Sequence, residues 1–117
     1  MLDTELLEPQ GKLYRRPTRQ PAHTCHKEMG CTEEHLLRAL PAVARREPLR
    51  VDRQRGRVVI GDAERQVVLD YAPRPHRRLG SLHLPVLEVD MYFRGFSDAQ
   101  TRTFLTRYDR CFLRMGG

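Results

Sequence analysis

The chain has 117 residues and a formal net charge of +6, with 39% hydrophobic and 31% charged residues. This balance predicts one folded domain with a modest core and excludes a chain that is disordered throughout. No apolar run approaches the ~18 residues of a membrane span, and the start MLDTELLEPQ lacks the pattern of a secretory signal. We therefore expect a cytoplasmic protein with no membrane partner and with its three cysteines kept as thiols.

Residues 1–22 differ in composition from the rest of the chain. They contain Pro9, Pro17 and Pro21 and the basic run YRRPTR, and their apolar residues follow no period of 2 or 3.6. We interpret them as a flexible N-terminal arm. Residues 23–117 are then a single α+β domain.

The first predicted helix begins after Thr32, which is a good N-cap residue. Glu33 and Glu34 follow, where the positive end of the helix dipole favours acids. Pro41 should end or kink this helix, because proline lacks the N–H that bonds to the carbonyl four residues back. The apolar face comprises Leu36, Leu37, Leu40 and Val43.

A sheet is predicted next. Residues 72–81 are interpreted as a loop because of their prolines and glycine. From Leu87 to Arg94 apolar and polar residues alternate strictly, the clearest strand pattern in the chain, and Leu82 and Leu84 join its apolar face around a register change at Pro85. Three shorter strand candidates precede the loop, at 49–52, 57–61 and 65–71.

The last element is a helix that opens with Ser97 and has Gln100 three residues later, which is the capping-box spacing. Its apolar stripe comprises Phe104, Leu105, Tyr108, Cys111 and Phe112. The elements predict an α+β fold made of a helix, a four-stranded antiparallel meander and a C-terminal helix. Both helices should pack on one face of the sheet, since that buries every apolar face.

The segment HTCHKEMGC at residues 23–31 is a candidate metal site. Thiolate and imidazole are ligands that zinc and copper(I) prefer, and the best-spaced set is His23, Cys25, Cys31 and His35. The alternative is that Cys31 and Met29 are core residues at the start of the helix. On that alternative the protein has no cofactor.

The basic charge raises nucleic-acid binding as a second hypothesis, because clustered arginines neutralise phosphates. The arginines are dispersed along the chain among fifteen acids, and this dispersion weakens the nucleic-acid hypothesis. The arm and the predicted loop hold the candidate contacts, Arg15, Arg16, Arg19, Arg74, Arg77 and Arg78.

Motifs of catalysis are missing from the sequence, which has no glycine-rich phosphate loop, no G-x-S-x-G and no H-E-x-x-H. We therefore expect a protein that is not an enzyme. The favoured interpretation is a small accessory or adaptor protein that binds a larger protein partner. The alternatives are a nucleic-acid-binding protein and a metal-handling protein.

Overall fold

The computed structural model describes residues 5–7, 13–15 and 23–114 of the chain. In chain order the elements are β1 (Glu5–Leu7), β2 (Leu13–Arg15), β3 (His23–Met29), α1 (Glu33–Ala44), β4 (Leu49–Asp52), β5 (Arg57–Gly61), β6 (Gln66–Leu79), β7 (Leu82–Arg94) and α2 (Asp98–Arg114).

The main sheet has five antiparallel strands in the order β3-β7-β6-β5-β4. Strands β4 to β7 form the predicted meander, since each pairs with the next along the chain. Strand β3 pairs with β7 at one edge, so α1 carries the chain from that edge to β4 at the other. Strands β1 and β2 form a separate antiparallel pair. The predicted class, α+β with an antiparallel sheet and two helices, is confirmed.

The predicted sheet was one strand short. Residues 23–29, which the sequence suggested as part of a metal cluster, form β3. The side chains of residues 24–29 alternate between the two faces, with Cys25 and Met29 packed against the core and His26 exposed. This strand was not predicted because most of its residues are polar and show no clear alternation of apolar and polar side chains. Its two faces become different only when it pairs with the buried strand β7.

Helix α1 begins as predicted, with the Thr32 side chain accepting a hydrogen bond from the His35 backbone N–H at 3.2 Å. It continues through Pro41 to Ala44, so of the two predicted effects of this proline, an end or a kink, the end is not observed. A proline inside a helix costs about 3 kcal/mol. Fully burying Leu40 and Val43, each 0% exposed, contributes roughly 1.5–3 kcal/mol per side chain and holds the last turn on the sheet.

The predicted loop at 72–81 is also a correction. Strands β6 and β7 continue through it as a long hairpin whose turn is Gly80–Ser81. Gly80 has a φ of +62°, as the first central residue of a type II′ turn requires. Between Arg74 and Arg77 the register shifts, opposite Pro85, which has no N–H to pair.

At the register shift the extra residue lies in β6, so β7 keeps its regular alternation through Pro85. This changes the sheet face on which the hairpin leucines lie. We expected Leu82 and Leu84 to continue the apolar face of β7. Their positions instead alternate in step with Glu88 and Asp90, away from the helices, and they are 59% and 37% exposed. Leu79, the partner of Leu82, is 57% exposed.

One hydrophobic cluster joins both helices to the same face of the sheet. Helix α2 opens with the predicted capping box, in which the Gln100 N–H donates to Ser97 Oγ and the Ser97 N–H donates to Gln100 Oε1. Neither helix of the described chain has the length and apolar composition needed to cross a membrane. The largest buried side chains of the cluster include Leu36, Leu69, Met91, Phe93 and Tyr108.

Candidate interaction groove

A groove of about 960 Å³ runs between α1 and α2. On α1 two short side chains are three residues apart, and on α2 those of Ala99, Thr103 and Thr106 are four and three residues apart, so within each helix they share one face. Because these side chains are small, they leave an open channel where larger ones would interlock. We call them the floor of the groove: Ala39, Ala42, Ala99, Thr103, Thr106 and Cys111.

Arginines supply all the charge that lines this groove. Among the described residues, no aspartate or glutamate lines it. Four of its five arginines are exposed, and within residues 24–113 these four form no ion pair with an acid. A cleft of one sign concentrates its field and attracts anions. Helix α1 and its C-cap contribute Arg38 and Arg45, and α2 contributes Arg102, Arg107 and Arg110.

Arg107 is the half-buried member of this set. Its Nε donates to the carbonyl oxygen of Val43 at 2.9 Å, and its guanidinium lies 5.7 Å from the centre of the Phe104 ring. Burial lowers the pKa of Arg107, the charge of Arg45 lowers it further, and Glu47 acts in the opposite direction. The guanidinium stays charged in proteins. Because Arg107 donates to a carbonyl oxygen and not to a carboxylate, its positive charge remains available to an incoming carboxylate.

Arg45 occupies a strained backbone position at the C-cap of α1, with a φ of 58° and a ψ of −114°. Such a conformation suits glycine and costs about 1–3 kcal/mol in other residues. Its N–H donates to the carbonyl oxygen of Pro41 at 2.9 Å, which closes the helix. The residue at this strained position, Arg45, is also one of the five arginines that line the groove.

The candidate metal ligands occupy different environments. Cys31 is buried, and burial raises the pKa of its thiol, which disfavours the thiolate that zinc needs. Cys25 packs against the core from β3, and His35 is half-buried in the first turn of α1. Nothing is described of the His23 side chain. Among the described residues, no three of His, Cys, Asp or Glu form a group that could hold a metal ion.

His26, the second histidine of that segment, lies on the opposite sheet face. Its Nδ1 is 2.6 Å from Asp90 Oδ1 and its Nε2 is 3.9 Å from Glu88 Oε2. The hydrogen bond to Asp90 raises the pKa of His26, and the charges of Asp90, Glu88 and Glu28 act in the same direction. This contact joins β3 to β7 across the face that the helices leave uncovered.

The hairpin arginines that we proposed for phosphate contact lie apart from the groove, on the exposed part of β6. Two of them already face acids, since Arg74 Nε is 3.6 Å from Glu88 and Arg77 Nη2 is 2.8 Å from Glu28. Arg78 is exposed and pairs in register with His83. Arg74, Arg77 and Arg78 therefore lie on one strand of the hairpin. Fewer arginines there than in the groove lack a described acidic partner.

The arm arginines are described in part. Arg15 lies in β2, with nothing described of its side chain, while Arg16 and Arg19 lie outside the described residues. Their proposed role in phosphate contact stays a prediction.

Sequence reasoning missed the groove arginines. Arg102 and Arg110 are eight residues apart on α2 and recur on one helical face about two turns apart, whereas Arg45, seven residues after Arg38, lies at the C-cap beyond α1. That spacing was a usable signal. Each pair taken alone is typical of the solvated side of an amphipathic helix, and only the packing of α1 beside α2 makes them line one groove.

Comparison of the chain with protein-family models, curated proteins and solved structures finds no match.

Proposed function

We propose that this protein is a small non-catalytic accessory protein that binds an acidic segment of a larger protein in the groove between α1 and α2. The observation that carries the proposal is the lining of that groove, which combines five arginines and no described acid with a floor of small residues. Arginine is the cation most enriched in protein interfaces, because its planar fork binds carboxylates at two points.

The two parts of the lining have different roles. Exposed ion pairs contribute only about 0.2–1 kcal/mol each, so the arginines chiefly accelerate encounter and select an acidic partner. Burial of the floor contributes roughly 25 cal/mol for each Å² of apolar surface. The partner must therefore fill the groove as well as neutralise it.

The environments of Cys31 and His26 favour a structural role for these two residues over catalysis. The Cys31 thiol is buried beside Leu36 and other core residues, and a raised pKa keeps it protonated. His26 is held by Asp90 on the sheet face that lies away from the groove. We therefore expect no hydrolytic or transfer activity from these residues.

Affinity capture from cells of the source organism tests the proposal. The groove variant Arg102→Glu/Arg110→Glu should lose the specific partner that the wild-type protein retains. The hairpin variant Arg74→Glu/Arg78→Glu is the matched control, because it makes the same change in net charge outside the groove. Equal loss of the partner in both variants, or retention in both, would refute a groove-bound partner.

Nucleic-acid binding is the second candidate, and one observation favours it. Residues 72–84 form the exposed part of the β6–β7 hairpin, which contains three arginines, two histidines and no acid, and a two-stranded ribbon fits the DNA major groove. Sub-micromolar binding of a 20-base-pair duplex at 150 mM salt, lost in the hairpin variant and kept in the groove variant, would place this function first.

A further inference from the structure

We infer that the occupant of the groove is a single amphipathic α-helix with acidic side chains along both flanks of an apolar stripe. This inference rests on the proposed function and specifies the kind of segment that binds. Three features of the groove support it: its dimensions, the spacing of its arginines and the chemistry of its floor.

The groove has the dimensions of a short helix. An α-helix with side chains is about 10–12 Å across and rises about 5.4 Å per turn, so one turn fills roughly 400–600 Å³. The 960 Å³ of the groove therefore holds about two turns if they are fully embedded, or about four turns if half of the helix stays in solvent. A segment of about eight to fourteen residues corresponds to that length.

The arginines recur at intervals that a helix can match. Arg102 and Arg110 are separated by about 12 Å along α2, and Arg38 faces them from α1, with Arg45 at the C-cap beyond that helix. An occupying helix with carboxylates at positions i and i+7 spaces them by about 10.5 Å, a difference that the flexible arginine side chains can span. Two such pairs, one on each flank, would contact the arginines of both helices at once.

The floor distinguishes a helix from a phosphate backbone. The hydroxyls of the two floor threonines can donate to a carboxylate or a phosphate, but the side chains of Ala39, Ala42 and Ala99 offer a phosphate no donor. An apolar stripe of leucine or alanine would bury them, in the way that an amphipathic helix lies in a hydrophobic groove. Arg107, whose Nε is held by Val43, keeps its terminal nitrogens as donors to a carboxylate of the same helix.

Designed peptides test this inference with the full-length protein. The first is a 16-residue helix with a leucine and alanine stripe and glutamates at i and i+7 on both flanks. The second has the same composition in an order that cannot form two acidic flanks. We expect the first to bind at least tenfold more tightly than the second at 150 mM salt, and Arg102→Glu/Arg110→Glu to weaken it at least tenfold.

Amide resonances measured during the titration locate the site. Changes should concentrate at Ala42, Ala99, Thr103 and Thr106 and be absent from the control position Gln54. A peptide with arginines in place of its glutamates should bind the groove variant more tightly than it binds the wild-type protein, because the ion pairs are then reversed. That rescue separates charge recognition from damage to the fold.

Each other outcome rejects the inference in a distinguishable way. Equal binding of the two peptides would mean that the groove recognises acidic charge but not its arrangement on two flanks of a helix, and the proposed function would survive. No binding of either peptide at 100 µM, or resonance changes outside the groove, would overturn the inference and leave the capture experiment to decide the proposed function. Tighter binding of a 20-base-pair duplex at the groove would overturn both.

Discussion

Arg107 of α2 donates its Nε–H to the main-chain carbonyl oxygen of Val43 at 2.9 Å, and so stabilises the end of the neighbouring helix α1. The last carbonyl groups of a helix lack partners within it, and α1 has no basic residue in its own last turn. A cation from α2 therefore takes the position that a lysine or arginine of α1 would favour. The same contact fixes the two sides of the groove relative to each other.

Arg107→Met should destabilise the domain by about 1–2 kcal/mol, because it keeps the aliphatic stem but removes a charged donor. The melting temperature should fall by about 5–12 °C in a domain of this size. Arg110→Met, one turn further along the exposed side of α2, is the control and should change stability by less than about 0.5 kcal/mol. Equal effects in urea denaturation would show that the Val43 contact contributes nothing.

Arg45→Gly should stabilise the domain by about 1 kcal/mol, because glycine adopts the positive φ of this C-cap without strain. The same change should weaken binding of the acidic peptide by a factor of about 1.4 to 5, because it removes one arginine from the groove. Arg46→Gly is the control, since it introduces glycine next to the cap and should be neutral or destabilising. Urea unfolding and peptide titration together measure both effects, and a destabilised Arg45→Gly would contradict the strain argument.

The hydrogen bond between Tyr71 and Glu33 should make the stability of the domain depend on pH. The buried Tyr71 hydroxyl donates to Glu33 Oε2, and this bond, together with Arg53, lowers the pKa of Glu33. A depressed folded pKa contributes stability above the unfolded value of about 4.3, and that contribution is lost as the pH falls through the folded pKa.

Tyr71→Phe should therefore destabilise the domain by about 1 kcal/mol at pH 7, with the difference from wild type shrinking below about pH 4. A double-mutant cycle with Glu33→Gln isolates the pair from other effects of each change. A difference that stays constant from pH 7 to pH 3 would show that the hydroxyl does not act through the carboxylate.

Deleting residues 1–20 should lower the melting temperature by less than about 8 °C, which corresponds to about 1–2 kcal/mol at this size. The reason is that every described core residue lies between Cys25 and Phe112. Deletion of residues 1–29 is the comparison, because it also removes β3 and the contacts of Cys25 and Met29 with the core. Similar losses in thermal denaturation of the two truncated proteins would show that the arm belongs to the domain.

Local interactions explain which elements could be predicted. The Thr32 cap and the Ser97–Gln100 capping box are hydrogen bonds within four residues, so their residue types reveal them. Strands β4 and β5 have the bounds that were predicted, because apolar runs between turn residues identify them. The predicted stripe of α2 is likewise observed, with Phe104, Tyr108 and Phe112 buried.

Long-range pairing explains the errors. Residues 23–29 acquire two different faces only beside β7, and residues 72–79 are held as a strand by 82–88 despite three prolines across the two segments. Helix α1 continues past Pro41 because the residues after the proline pack against the sheet. In each case tertiary contacts outweigh a local preference of at most a few kcal/mol.

The sequence by itself determined the α+β class, the N-terminal caps of both helices and the apolar faces of the helices, because these depend on residue type and spacing within a few turns. Only the tertiary structure decided where the arginines meet. Arg38 and Arg102 are 64 positions apart in the chain, and each lies on the solvated side of its own helix. They line one groove because α1 and α2 pack side by side on the same face of the sheet, and that arrangement is set by burial of the opposite, apolar faces.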